Sequence, residues 1–174
     1  MKNRIMFVCL SMVISGCVTD SKQPDPSNSQ SAAPITKPFV FNEFVEANLG
    51  PVTQVTRPPN CGTWLSFIRG VVKKESGWKA DAEYTEKFVD HSTGKKSVST
   101  GYFQLSLGDK SHYKSKFCQQ LSPKTLKDPM VNTGCALEIM EKLLREAGDR
   151  GQTPRQALGR YWSVIRDSKE VCGG

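Results

Sequence analysis

The chain has 174 residues, 37% hydrophobic and 24% charged, which allows one ordinary domain with a tail and a core of modest size. Its net charge of +7 favours anionic partners such as wall polymer or anionic lipid. The basic residues are scattered, without a block of five or six and without interleaved aromatics, so nucleic acid is not an expected partner.

Residues 1–16 combine Lys2 and Arg4 with an apolar run from Ile5 to Ile14 broken by Ser11. The run is too short for a membrane-spanning helix and suits a signal peptide. Ile14-Ser15-Gly16-Cys17 resembles the lipobox of bacterial lipoproteins, which implies lipidation at Cys17; the alternative is an ordinary secretory signal with an incidental cysteine. Val18 follows, and by the same resemblance a residue other than Asp here implies an outer-membrane lipoprotein facing the periplasm. Residues 17–40 are rich in Ser, Pro, Asp and Gln and read as the lipidated cysteine and a flexible tether, leaving 41–174 as the domain.

From the end of the tether into the domain, Phe39, Phe41, Phe44 and Val45 suggest a short packing segment over Phe39 to Leu49. Trp64, Leu65, Phe67, Ile68, Val71 and Val72 recur at three- and four-residue steps and predict a helix from Gly62 to about Lys74. Tyr84 to Phe103 reads as a hairpin around a turn at Ser92 to Lys95. Asp128-Pro129 is a cap followed by proline, opening a helix that carries Met130, Cys135, Ile139, Met140, Leu143, Leu144 and Ala147 and stops at Gly148. Thr153-Pro154 repeats the start signal, and Ala157, Leu158, Tyr161, Trp162 and Ile165 form the face of one last helix. The expected fold class is α+β, mainly helical, with one small β-hairpin.

Four cysteines lie in the domain, Cys61, Cys118, Cys135 and Cys172. In an oxidising compartment they read as two disulfides, with three pairings open. Cys118–Cys135 and Cys61–Cys172 are favoured, the second tying the ends of the domain together. Metal ligation is disfavoured because no pair has a CxxC-like separation and His91 and His112 lie far from the ends of the set.

Glu75 continues the apolar stripe of Ile68, Val71 and Val72. A carboxyl there is partly desolvated and sits at the negative end of a helix dipole; both effects favour its protonated form. Cleavage of a glycosidic bond needs such an acid, because the leaving oxygen is protonated as the bond breaks. From pattern alone, a helix-end glutamate reaching solvent or paired with Lys73 or Lys79 is the better reading.

The segments VKKESGWKADAEY, STGYFQLSLGD, LKDPMVNTGCALEIMEKLL and ALGRYW, in that order over about residues 61–166, resemble the soluble lytic transglycosylase domain of the lysozyme-like superfamily. The resemblance implies a lysozyme-like fold and a catalytic acid/base at Glu75 supported by Ser76. It also implies a cleft lined by Gly101, Tyr102, Phe103 and Gln104, with Gln104 bonding substrate and Tyr161 near the scissile sugar. Bland readings stand beside these: Phe103 as strand core, Gln104 satisfying backbone, Tyr161, Trp64 and Trp162 as core. Two departures are visible. Gly101 stands 26 residues after Glu75, farther than is usual, and Tyr161-Trp162 replaces the usual Tyr-Asn.

The extra length carries Glu83, Glu86, Asp90 and His91 and resembles a subgroup with a Tyr-x-Glu-x-Phe stretch. One of these acids in the cleft would activate water, giving hydrolysis, or would bind the ammonium of a de-N-acetylated sugar. A solvated hairpin balancing nearby lysines is the plainer reading. Taken together, the expected function is cleavage of the MurNAc–GlcNAc β-1,4 bond of peptidoglycan, as lytic transglycosylase or lysozyme, without metal or organic cofactor. The expected partners are peptidoglycan strands and the membrane through the N-terminal lipid, with the protein monomeric. A chitosanase-like enzyme, a non-catalytic wall-binding lipoprotein and a structural part of an envelope machine are the alternatives.

Overall fold

The computed structural model describes residues 38–90, 94–168 and 171–172, so the expected signal peptide, Cys17, most of the expected tether, and His91 lie outside the described residues. The fold is mainly helical α+β, with one two-stranded antiparallel sheet. No helix among the described residues is long and apolar enough to cross a membrane.

The aromatic segment near the tether becomes α1 (Phe41–Asn48), followed by the short α2 (Pro51–Val55). Both pack on α5, and Val45 of α1 is fully buried. The apolar stripe becomes α3 (Trp64–Ser76). Thr63 caps it by accepting from the Ser66 N–H at 3.1 Å, and Gly77 ends it in the left-handed region at φ 59°, where glycine lacks the Cβ that would clash. Gly70 inside this helix costs about 1 kcal/mol relative to alanine. Burial of Phe67, Ile68, Val71 and Val72, at about 1.5–3 kcal/mol each, outweighs that cost. Packing, not propensity, therefore fixes α3.

The hairpin is β1 (Glu83–Asp90) and β2 (Lys95–Thr100), paired from Glu83↔Thr100 to Asp90↔Lys95 with a bulge between Thr85 and Val89. Next come α4 (Gly108–His112) and α5 (Pro129–Asp149). Asp128 caps α5, accepting from the N–H groups of Met130 and Val131. This central helix buries Val131 to Leu137 and then Ile139, Met140, Leu143, Leu144 and Ala147. Disulfides join Cys61 to Cys172 and Cys118 to Cys135, the favoured pairing.

One expectation fails. The segment from Pro154 is two helices, α6 (Pro154–Leu158) and α7 (Ser163–Asp167), not one. Trp162 is drawn into the core, where its indole Nε1 donates to the Phe103 carbonyl at 3.0 Å. The chain turns across residues 159–162 to deliver that ring. An apolar period that fits a continuous helix fits this broken pair equally well.

Candidate active site

The segment joining β2 to the rest of the domain is built around one buried amide. Asn132, fully buried on α5, donates from Nδ2 to the carbonyls of Thr100 (3.0 Å) and Leu126 (2.9 Å) and accepts the Phe103 N–H at 2.9 Å. Gly101 lies at φ 83° against this amide, and a Cβ there would run into the Leu126 carbonyl and the Asn132 side chain. These contacts supply a physical reason for the spacing of Gly101 and of the Asp128-Pro129-x-x-Asn132 run. The chain then reverses so that Thr100 and Leu105 exchange backbone hydrogen bonds of 2.7 and 3.0 Å. Gln104 takes the left-handed φ of 52°, unusual for a side chain with a Cβ, and is held there by that exchange.

Glu75, on the last turn of α3, Gln104 in this reversal, Tyr84 and Glu86 on β1, and Ser163 at the start of α7 line one cavity of about 390 Å³. The volume lies within the usual range for small-ligand sites. Glu75 is half-buried and makes no hydrogen bond or ion pair among the described residues; neither Lys73 nor Lys79 pairs with it. Burial, first, and the nearby Glu86 carboxylate, second, push its pKa up to about 7. A carboxyl of this kind holds a proton near neutrality and is able to give it away. Glu86 has a different environment: Oε1 accepts the Ser99 hydroxyl at 2.7 Å, which fixes its direction.

Gln104 donates from Nε2 to the carbonyls of Gly101 (2.9 Å) and Ala82 (3.1 Å). The backbone-satisfying role weighed for it is therefore present, and it turns the amide oxygen into the acceptor available to a ligand. Tyr161 does not line the cavity. Its ring stands between Tyr113 and Trp162, and burial, with the Asp109 carboxylate beside it, holds its hydroxyl protonated well above the ordinary phenol range. Glu75 is close enough to add to that effect.

Several expected site residues lie elsewhere. The Ser76 hydroxyl donates to the Val72 carbonyl at 3.1 Å, one turn back, so it secures the helix end and makes no bond to Glu75. Phe103 is fully buried and belongs to the core. Tyr102 packs edge-on against Phe41 and Trp78, away from the cavity. Glu83 points off the cleft side and pairs with Lys127 at 2.8 Å, as strand alternation against Tyr84 requires. Asp90 is on β1 opposite Lys95, and its side chain lies outside the described residues. Trp64 and Trp162 are core residues. Tyr84 and Ser163 were missed by sequence reasoning; the strand alternation that groups Tyr84 with Glu86 was the signal available.

Size does not single out this cavity. A larger one of about 470 Å³ lies over α5, lined by Lys114, Lys116, Phe117, Leu137 and Glu138 among others. Glu138 there accepts from Ser115 Oγ and from the N–H groups of Phe117 and Cys118, so its charge is already satisfied. The smaller cavity alone combines an unpartnered, proton-holding carboxyl with a second acid.

No protein-family profile matches this chain, and no curated protein is similar to it. Among solved structures it is similar to DslA (Bd0314), a Bdellovibrio protein. One glutamate-to-glutamine mutant of DslA matches at 23% identity with a TM-score of 0.56, over 74% of this chain and 79% of that one. A second such mutant matches at 22% and 0.56 over the same shares. Wild-type form 2 of DslA matches at 23% and 0.51, over 74% of each chain. The likeness extends through most of both chains and shows a shared fold.

Proposed function

We propose that this protein is a peptidoglycan-cleaving glycosidase of lysozyme-like type, cutting the MurNAc–GlcNAc β-1,4 bond with Glu75 as acid and base. One observation carries the reading: a half-buried carboxyl without a counter-charge, its pKa near 7, opening into a cavity shared with Glu86 and Gln104. Glu75 gives its proton to the leaving glycosidic oxygen as the bond breaks, offsetting the charge that would otherwise develop there. The resulting carboxylate then takes a proton from the nucleophile. In a lytic transglycosylase that nucleophile is the muramic 6-hydroxyl; in a lysozyme it is water. The oxygen of Gln104 accepts a hydrogen bond from a sugar hydroxyl or amide. Tyr161 stays a neutral phenol beside the acid. None of these steps calls on a metal or organic cofactor.

Glu86 favours the hydrolytic version. It lies in the same cavity, aimed by Ser99, where a second carboxylate can orient a water or hold the ammonium of a de-N-acetylated glucosamine. The two DslA mutants replace glutamates that are eleven residues apart, and Glu75 and Glu86 have the same separation. The lipobox-like Cys17 and the polar tether support an outer-membrane lipoprotein whose reach is set by the tether and whose positive charge favours the anionic wall.

The test is digestion of acetylated and deacetylated peptidoglycan by the purified chain from residue 17 without its lipid, beside Glu75→Gln, with mass analysis of the products. Anhydro-muropeptides lost in the variant establish a lytic transglycosylase, and reducing-end products lost in the variant establish a lysozyme. No release from either substrate by the unsubstituted protein overturns the proposal in favour of a wall-binding lipoprotein.

A further inference from the structure

Four of the five residues lining the Glu75 cavity offer only carboxyl, amide or hydroxyl groups; Tyr84 alone adds an aromatic ring. Tyr84 is 54% exposed. The chain has four tyrosines, and the other three have ring partners: Tyr102 with Phe41 and Trp78, Tyr113 with His112 and Tyr161, and Tyr161 with Trp162. Tyr84 has no ring partner among the described residues. The fold also commits it to this place. It is fixed in the β1–β2 register opposite Ser99, and the Ser99 hydroxyl is bonded to Glu86 in the same cavity.

A pyranose ring of an equatorially substituted sugar has polar groups at its rim and an apolar face of axial C–H bonds. Carboxylate and amide oxygens satisfy the rim, while the face needs a flat apolar surface to replace water. Gln104 and Glu86 supply the first requirement and Tyr84 the second. We propose that Tyr84 is the stacking platform of a subsite that takes a pyranose ring of a β-1,4-linked glycan, beside the ring on which Glu75 acts. The proposal rests on the glycosidase reading and adds to it a binding residue that sets where the strand lies. The phenol has no step in the chemistry. Its ring is what matters, and its hydroxyl is dispensable.

Binding and turnover separate here if cleavage is blocked. In the Glu75→Gln protein, affinity for a β-1,4-linked N-acetylglucosamine hexamer and for its deacetylated counterpart is measured by calorimetry, alone and with Tyr84→Ala, Tyr84→Leu or Tyr84→Phe. Removal of the ring in Tyr84→Ala and Tyr84→Leu is expected to weaken binding about tenfold, and Tyr84→Phe to stay within about twofold. The leucine variant keeps apolar bulk without a flat face, so it reports on stacking even if the alanine variant loses thermal stability. Equal affinity of Tyr84→Leu and the parent overturns the platform while leaving the glycosidase reading intact. A Tyr84→Phe as weak as Tyr84→Leu assigns the effect to the hydroxyl and overturns stacking. No binding of either hexamer by the parent sinks the glycosidase reading and the subsite together.

Discussion

Two regions of the molecule use half-buried glutamates in opposite ways. On α5, Glu138 accepts from Ser115 Oγ at 2.5 Å and from the N–H groups of Phe117 and Cys118 at 2.9 and 3.1 Å. One turn on, Glu141 accepts from Val52 N–H at 2.9 Å and, more weakly, Thr53 N–H at 3.4 Å, where α2 begins. Both carboxylates staple loops to the central helix, and α2 needs such partners because its first N–H groups have none within the helix. At the end of α3, Glu75 is offered no donor, and Glu86 adds a like charge nearby. The same side chain is thus a hydrogen-bonded staple where donors converge and a held proton where they are withheld. Burial alone does not make an acid; burial without donors does.

The largest effect that would break this contrast is on turnover. Glu75→Gln is expected to lower glycan release about a thousandfold, in the range ascribed to general acid–base catalysis. Glu138→Ala, whose partners are all structural, is expected to leave release per folded molecule unchanged. Product release measured at matched folded concentrations checks both. A Glu138→Ala protein that folds but has lost turnover would mean that the α5 region belongs to the site.

Next in size is the stability of the polar framework. Asn132→Ala leaves the Phe103 N–H and the Thr100 and Leu126 carbonyls without their partner in the core. At about 1–3 kcal/mol for each buried group left unsatisfied, a loss of about 3–5 kcal/mol is expected, read from urea midpoints. Glu138→Ala, with its partners closer to solvent, should lose about 2–3 kcal/mol. A loss below about 1 kcal/mol in Asn132→Ala would mean that the reversal carrying Gln104 is held by something other than this amide.

Much of this arrangement is legible in the residues, and its gaps have physical causes. The stripe from Trp64 to Val72 and the Asp128-Pro129 cap announce α3 and α5, because a 3.6-residue period and a capping carboxylate have few other uses. Glu75 stood out because it extends a buried stripe, but the stripe alone favoured a solvated helix-end glutamate, and its proposed role as the acid came from the family resemblance. The second cause of its raised pKa was not visible: the sequence suggested the helix dipole, whereas after burial the structure points to Glu86, fixed by strand pairing over a distance that periodicity cannot read. Alternation separates Glu83 from Tyr84 but does not say which face meets the cleft; the pairing of Glu83 with Lys127 settles that. Phe103 was ambiguous because one side of a tight reversal is core and the other cavity. The break between α6 and α7 is hidden for a similar reason, since Ala157, Leu158, Tyr161, Trp162 and Ile165 all remain inward or half-inward on either side of the turn.

A third effect follows from proton binding. The Glu75 pKa rises from 4.5 to about 7 on folding, so between those values the folded protein holds more protons than the unfolded chain. Stability therefore falls as pH rises through this window, and the loss is complete above about pH 7. At about 1.4 kcal/mol per unit, with a discount for the solvent the carboxyl still meets, the loss is about 2–3 kcal/mol. Glu75→Gln should remove it. The variant is expected to be more stable than the parent at pH 8 and close to it at pH 4.5, which melting curves at the two values will test. A variant less stable than the parent at pH 8 would mean that the ionised Glu75 carboxylate finds donors in solution.

The smallest effect separates the two causes at Glu75. Burial contributes more than the Glu86 charge, so Glu86→Gln should move the Glu75 pKa down by less than half of its total rise. The alkaline fall of kcat/KM, where Glu75 loses the proton it must donate, should move to lower pH by the same amount. Ser99→Ala makes a sharper variant, because it keeps both charges and removes only the hydroxyl that aims Glu86. If Glu86 acts at a distance through its charge, Ser99→Ala leaves the alkaline limb in place. If instead Glu86 orients water or an ammonium group, Ser99→Ala lowers turnover, and on deacetylated glycan above all, while the limb stays fixed. A lowered rate in Ser99→Ala would give Glu86 a direct part in the reaction; an unchanged rate there, with the limb moved in Glu86→Gln, would leave Glu86 as the neighbour that keeps Glu75 protonated.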